Sequence, residues 1–426
     1  MLVLLIGTVL MPLSVINAAE DAEPASAALV PVDELRTLSE VLTRIKDEYV
    51  EEVSDTELLE SAIRGMLQSL DPHSSYLTPE ELEDVRVGTR GRFGGLGLEV
   101  GEVDGRITVI APIDDTPAQR AGIQAGDRIV RIDGLSTQGM SLNDAVRRLR
   151  GSPGEAVELT IVRDTDEAPQ DVTVIREEIR VRSVRARMLE PGYGYVRISQ
   201  FQSQTGSALI EAIESLQAEH EERLKGFVLD LRNNPGGVLQ AAVSVADAFL
   251  SSGRITETRG RTDSTQLRFE ANPRDVLDGI PMVVLINAGS ASASEIVAGA
   301  LQDQRRAIIM GARSFGKGSV QSIMPLASGA AIRLTTARYY TPLGRSIQAE
   351  GIEPDVLVED LQVNVMSRDG NETVRERDLD RHLHKDAEGV LDSDDRQSLA
   401  VTDFLLFEAL NLLKALSILD RETARR

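Results

Sequence analysis

The chain has 426 residues, 42% of them apolar, which is enough to build packed cores in about two to four domains. Its 46 basic and 68 acidic residues leave a formal charge of −22, and aromatics reach only 3% with no Trp, so neither the field nor the surface suits a nucleic-acid partner. The absence of Cys excludes a cysteine nucleophile, a disulfide framework and a thiolate metal site.

Residues 2–16 are apolar except for Gly7, Thr8, Pro12 and Ser14. The run is shorter than the ~20 residues a membrane span needs. Asn17-Ala18-Ala19-Glu20 and an acidic Pro/Ala-rich spacer follow it, although no basic residue precedes it. Residues 1–19 are therefore expected to be a signal peptide that sends the protein to the periplasm or cell envelope, with an uncleaved anchor as the alternative.

Residues 28–90 form a helical region. Leu35, Leu38, Val41, Leu42 and Ile45 make one apolar set at helical spacing, and Leu58, Leu59, Ala62, Ile63, Met66 and Leu67 another. Asp71-Pro72 ends this region, and Thr78 caps the next helix with Glu81 closing a capping box. Residues 91–180 are rich in glycine and short β-runs. Strands are expected at 107–110, 157–162, 171–175 and 179–184, with one helix at 142–149.

Between 181 and 358 the pattern alternates. Strands are expected at 195–198, 226–231 and 282–286, and helices at 207–219, 238–250 and 294–302, which implies an α/β core. In the extension 359–426, residues 366–396 are polar and charged. Phe404, Phe407, Leu410, Leu413 and Leu416 then repeat along an apolar helix at 400–419. That stripe must be covered by the core or by another subunit. No intrachain partner is evident for either terminal helical segment, so a homo-oligomer joined through them is expected.

Several motifs occur in one order. They are Leu70-Asp71-Pro72-His73-Ser74-Ser75-Tyr76-Leu77, Gly94-Gly95-Leu96-Gly97-Leu98, Asp230-Leu231-Arg232-Asn233-Asn234-Pro235-Gly236-Gly237, Ser290-Ala291-Ser292-Ala293-Ser294-Glu295, Ser314-Phe315-Gly316-Lys317-Gly318-Ser319-Val320-Gln321 and Tyr339-Tyr340-Thr341-Pro342. Together they resemble the carboxyl-terminal processing (tail-specific) serine proteases over residues 35–358. The resemblance implies a multidomain α/β protein: a ClpP/crotonase-like protease core, an inserted β-rich PDZ domain, and helical N- and C-terminal segments. It implies a Ser/Lys dyad with Ser292 as nucleophile, Lys317 as base and Gln321 as helper.

The residues themselves fit that chemistry. A serine hydroxyl needs a base. His73, His220, His382 and His384 accompany no glycine-flanked serine, so a Ser/His/Asp triad is not expected. Lys317 lies between two glycines and near Phe315 and Val320, whose apolar character would disfavour the ammonium. Serving as a base near neutrality requires a drop of about three pKa units, a cost of ~4 kcal/mol. Gln321 could orient the amine if its segment is extended or turned.

Ser292 precedes a helix start, where the Ala293 N–H suits an oxyanion; Gly236 or Gly237 could give a second donor, each worth ~3 kcal/mol. By local pattern alone, Ser292 to Glu295 is a plain capping box and the glycine segments are turns. Ser290 and Ser294 remain alternative nucleophiles, and the family alignment selects Ser292.

Gly94, Gly95, Leu96, Gly97 and Leu98 resemble a PDZ carboxylate-binding loop, and Ala121-Gly122-Ile123-Gln124-Ala125-Gly126-Asp127 fits the same domain. Leu96 and Leu98 suggest a preference for apolar C-terminal side chains. Arg150 ends that domain's helix, and in some relatives an arginine near here couples docking to the active site. No metal-ligand spacing and no phosphate-binding loop occur, so no metal or cofactor and no ATP are expected. The expected partners are proteins or peptides with accessible C-termini and an activating adaptor. Two rivals stand beside the protease: a non-catalytic PDZ adaptor of the cell envelope, and a crotonase-type enzyme acting on acyl-CoA.

Overall fold

The computed structural model describes residues 32–163, 168–219, 223–358 and 399–423. The expected signal peptide, the polar stretch 366–396, and His220, His382 and His384 lie outside the described residues. No helix among the described residues is long and apolar enough to cross a membrane.

Two units divide the chain at residue 66. The first holds helix α1 (Val32–Glu48) and most of α2 (Asp55–Gln68). Lys46 Nζ meets Asp55 Oδ1 at 2.7 Å across the turn between them. Along α1, Leu35, Leu38 and Val41 are exposed.

In the second unit, strand β1 (Ser75–Leu77) precedes α3 (Pro79–Arg90), whose capping box forms as expected: Thr78 N donates to Glu81 Oε2 at 2.8 Å and Glu81 N to Thr78 Oγ1 at 3.2 Å. A small β-domain follows. It contains β2 (Arg92–Gly95), β3 (Leu98–Val103), β4 (Arg106–Pro112), α4 (Pro117–Arg120), β5 (Arg128–Ile132), β6 (Leu135–Ser136), α5 (Leu142–Leu149), β7 (Ala156–Val162), β8 (Gln170–Ile175) and β9 (Glu177–Arg180). Its sheet runs β3-β4-β5-β7-β8, leaving β3 at the edge, while β2 and β9 pair with each other. Its core joins Leu96, Ile107, Val109, Ile129, Ile132, Leu159 and Ile161.

The larger core starts at β10 (Val184–Glu190) and β11 (Tyr193–Ile198), then α6 (Thr205–Ala218), β12 (Gly226–Asp230), α7 (Leu239–Asp247), β13 (Arg254–Gly260), β14 (Arg268–Glu270), β15 (Met282–Ile286), α8 (Ala293–Asp303) and β16 (Ile308–Gly311). It ends with β17 (Ser319–Pro325), β18 (Ala331–Tyr340), β19 (Val356–Leu357) and α9 (Phe404–Thr423). The central sheet runs β10-β11-β12-β15-β16-β19 and is parallel except for the β10–β11 pair.

Strands β12 and β15 are buried at every position, and period-2 alternation explains why. Phe227, Leu229, Val284 and Ile286 face a core that includes Leu209 and Ile213 of α6, Val245 of α7, and Val297 and Leu301 of α8. Val228, Val283 and Leu285 face Leu405, Leu406, Leu410 and Leu413 of α9. The terminal helix thus covers the second face of its own sheet, at ~2 kcal/mol per buried Leu. This corrects the expectation that it lacks a partner within the chain. Arg232 fixes its start, donating to both carboxylate oxygens of Asp403 at 2.8 and 2.7 Å, while Leu406 N donates to Asp403 Oδ1.

The expected strand at 179–184 is not one strand. Residues 181–183 break it into β9, which closes the small domain on β2, and β10, which opens the central sheet. A single run of Val, Ile and Arg serves two sheets there.

Candidate active site

Three loops converge at the start of α8. Strand β15 ends at Ile286, the chain turns through Asn287 to Ala291, and Ser292 stands at the N-cap with φ 55° and ψ −110°. An N-cap residue ordinarily has β-region angles. A serine at positive φ is strained, by about 1–3 kcal/mol, and persists only where its surroundings impose it.

Those surroundings distinguish the three serines. Ser290 Oγ donates to Leu231 O at 2.8 Å, and Ser294 Oγ to Asn234 O at 2.9 Å; both residues are fully buried. Their hydroxyls are committed to backbone carbonyls that have no water to replace them. Ser292 makes no such commitment.

The loop after β12 carries the glycine pair. Asn234 ties it to the serine turn, since its carbonyl accepts from Ala291 N at 3.0 Å as well as from Ser294. Gly236 then lies against Ser292: a Cβ placed there would come within 2.8 Å of Ser292 Cβ and 2.7 Å of Ala291 O, at a φ of 99°. Only glycine fits. The Gly236 N–H is taken by Asn234 Oδ1 at 2.9 Å. Among the described residues the N–H groups of Gly237 and Ala293 have no partner. Of the three expected oxyanion donors, the structure leaves these two open.

The third loop brings Lys317. Its flanking glycines are required by close approach, as a Cβ on Gly318 would sit 2.3 Å from Gln348 N. One buried carboxylate joins this loop to the serine turn. Glu295 Oε2 accepts from Ser292 N at 2.7 Å and from Lys317 N at 2.9 Å, and Oε1 accepts from Gly316 N and Ser314 Oγ, both at 2.6 Å. Glu295 is fully buried, and four donors offset the cost of burying its carboxylate. The backbone nitrogens of Ser292 and Lys317 can be no farther apart than these two bonds laid end to end. Sequence reasoning reads Glu295 as an ordinary capping glutamate; the signal that could have found its second role is the Ser-x-x-Glu pattern facing a glycine-flanked lysine.

The Lys317 amine has no hydrogen-bond or ion-pair partner among the described residues. Burial holds it below its ordinary pKa of 10.5 and the charge of Arg333 adds to this, against the opposing pull of Asp71 and Glu295. Phe315, expected to help desolvate it, is itself 64% exposed. His73 shares this neighbourhood and is lowered by burial and by the positive charge of Lys317.

Gln321 is extended in β17, immediately after a register shift between Val320 and Gln321. Its Nε2 donates to Ser319 Oγ at 2.9 Å and to Thr335 Oγ1 at 3.4 Å. The expected bond to the lysine is not made; the amide nitrogen is held by hydroxyls instead.

In the small domain, the loop from Gly94 to Leu98 enters the edge strand β3. The N–H groups of Leu96 and Gly97 have no partner among the described residues, as a carboxylate cradle needs. The side chain of Leu96 is only 2% exposed and belongs to the domain core, so it is not available to select a ligand's side chain; Leu98 is half-buried. Arg150 is partly exposed. It donates to Asp84 of α3 at 2.6 Å and lies over the Phe93 ring at 5.1 Å, beside a cleft of about 760 Å³ between α3 and α5.

Comparisons with known proteins converge on one family. Residues 192–358 match peptidase family S41, residues 108–163 a PDZ domain, and residues 12–81 the activating protease CtpB N-terminal domain. A carboxy-terminal-processing protease of Bartonella bacilliformis is 51% identical over 327 residues, covering 76% of this chain and 75% of that one. A carboxyl-terminal-processing protease of a Synechocystis species is 40% identical over 323 residues, covering 74% of each. A solved structure of a photosystem II D1 C-terminal processing protease aligns at 33% identity over 75% of this chain and 86% of that one, with a TM-score of 0.45.

Proposed function

Because the chain belongs to the carboxy-terminal-processing proteases, serine-type peptidases with a PDZ domain, we propose that it cuts proteins selected by their C-termini, using Ser292 as nucleophile and Lys317 as base, without ATP. The observation that carries this reading is the shared Glu295 oxygen, which brings the strained serine and the glycine-flanked lysine into one backbone frame.

Neutral Lys317 takes the Ser292 hydroxyl proton as Oγ attacks the scissile carbonyl. The N–H groups of Ala293 and Gly237 receive the oxyanion. The resulting ammonium returns the proton to the leaving amine, and a water molecule, activated by the same lysine, hydrolyses the acyl-enzyme. Gln321 orients the amine. Burial and the charge of Arg333 lower the pKa of Lys317, which is the direction a lysine base needs.

The substrate's last residues add to the edge of β3, with the terminal carboxylate on the N–H groups of Leu96 and Gly97. Arg150 links that docking to the body of the enzyme through Asp84. Residues 1–19 export the protein to the cell envelope. Subunit pairing through the N-terminal helices and an activating adaptor complete the proposal. Membership of the peptidase family displaces the acyl-CoA reading.

The test is an unstructured substrate and its C-terminally amidated twin. The amide is expected to lower kcat/KM by about tenfold, the worth of one charge-assisted hydrogen bond, and to act mostly through KM. Equal cleavage of both would contradict C-terminal selection.

A further inference from the structure

The motif from Leu70 to Leu77 holds no residue to which the proposed chemistry assigns a task, yet it is bonded to the strand that faces Gln321. Strand β1 pairs with β18 in the register Ser75–Arg333, and β17 pairs with the other side of β18 in the register Gln321–Thr335. Leu77 and Leu82 clamp this corner on Ala331, all three being buried.

Asp71 is the hub of the preceding turn. Its Oδ1 accepts from His73 N at 2.8 Å, Ser74 N at 2.9 Å and Thr335 Oγ1 at 3.1 Å, and its Oδ2 accepts from Ser74 Oγ at 2.7 Å. Ser74 Oγ in turn accepts from Thr335 N at 3.1 Å.

The direction of these bonds matters. A carboxylate only accepts, so the single hydroxyl proton of Thr335 points at Asp71. The lone pairs of Thr335 Oγ1 are then left for a donor, and Gln321 Nε2 supplies one at 3.4 Å, with Ser319 Oγ as its second acceptor. The Thr335 contact selects the NH₂ end of the amide, because a hydroxyl whose proton is already given can only accept. The oxygen end, Oε1, has no partner among the described residues, and it is the only atom of the Gln321 side chain that can accept from an amine.

We propose that Asp71 and Thr335 are positioning residues for the proteolytic reaction: the Asp71–Thr335–Gln321 relay fixes the Gln321 amide so that its oxygen is presented to the Lys317 amine. This rests on the reading of Lys317 as the base. It gives the motif ahead of β1 a task in a site formed more than 200 residues later in the chain. The charged and titratable groups around the amine are Arg333, Asp71, Glu295 and His73.

The experiment is steady-state cleavage of an unstructured substrate by Thr335→Val, which keeps the shape and β preference of threonine and deletes its hydroxyl. We expect kcat to fall about tenfold, the worth of one lost hydrogen bond in the transition state, with KM and Tm unchanged. Thr335→Ser should restore the rate. Gln321→Ala should lose a similar factor, and the double variant no more than either single one, because the two residues act in series. Asp71→Asn should also shift the acidic limb of the kcat profile, where the rate rises as the amine loses its proton, to lower pH, since it removes an attraction for the ammonium.

Parental turnover by Thr335→Val, or losses that multiply in the double variant, would overturn the relay while leaving the Ser/Lys reading intact. An active Lys317→Ala protein would instead remove that reading, and the relay with it; this control separates the two failures.

Discussion

Replacing Ser292 by Ala is expected to lower kcat/KM by on the order of 10⁴ or more while leaving peptide affinity unchanged. The methyl side chain keeps the Cβ that meets Gly236 and keeps the backbone bond to Glu295, so only the attacking oxygen is lost. The same change at Ser290 or Ser294 should behave differently. Each hydroxyl serves a buried carbonyl, Leu231 O or Asn234 O, and losing it leaves that acceptor unpaired at about 1–3 kcal/mol of stability. Those variants should melt earlier and retain turnover when folded. The pattern to look for is inactivity with normal melting at Ser292, and the reverse at its two neighbours. A Ser292→Ala protein that still cuts the substrate would contradict the assignment.

The second large effect is expected at Glu295. Glu295→Ala strands the backbone N–H groups of Ser292, Gly316 and Lys317 and the Ser314 hydroxyl, and it unties the carboxylate that holds both Ser292 and Lys317. Unpaired buried donors cost about 1–3 kcal/mol each. A Tm loss of several degrees is expected, together with a fall in kcat of on the order of 10² or more. Glu295→Gln should recover part of the melting temperature and little of the rate. Its single oxygen can hold one loop, whereas its NH₂ faces N–H groups that also donate. Thermal melting and single-turnover cleavage of the two variants check this, and a Gln variant with parental turnover would contradict it.

How much was legible in the sequence depended on whether local pattern and tertiary setting agreed. Strand β15 and helix α5 were expected at their observed bounds, because an unbroken apolar run and a capped amphipathic turn need no outside help. Strands β13, β17 and β18 went unpredicted. Strands β17 and β18 are largely half-exposed or exposed, β13 is mostly buried, and all three carry Arg, Thr or Ser among their apolar residues, so their pairing is set by neighbours far along the chain. The role of Leu96 was misjudged for a related reason, since a leucine in a binding loop and a leucine in the core under that loop look alike until the turn is built.

At the site, Ser292, Lys317 and Gln321 could be named from motifs. The carboxylate that unites two of them, and the hydroxyl that holds the third, could not. Glu295 satisfies a local rule and a long-range one at once, and only the local rule is visible in sequence. Thr335 and Asp71 are 264 residues apart.

The central claim is that a free amine at position 317 is the base. The chain has no Cys, so Lys317→Cys creates the only thiol in the protein, and alkylation with 2-bromoethylamine rebuilds a lysine analogue at that one place. Lys317→Cys should be inactive. The aminoethylated protein should recover cleavage, with its pH limb shifted down because the thioether makes the amine more acidic. The propyl analogue, equal in length but without nitrogen, should recover none. Activity in the unalkylated variant, or equal recovery with the propyl group, would contradict the account.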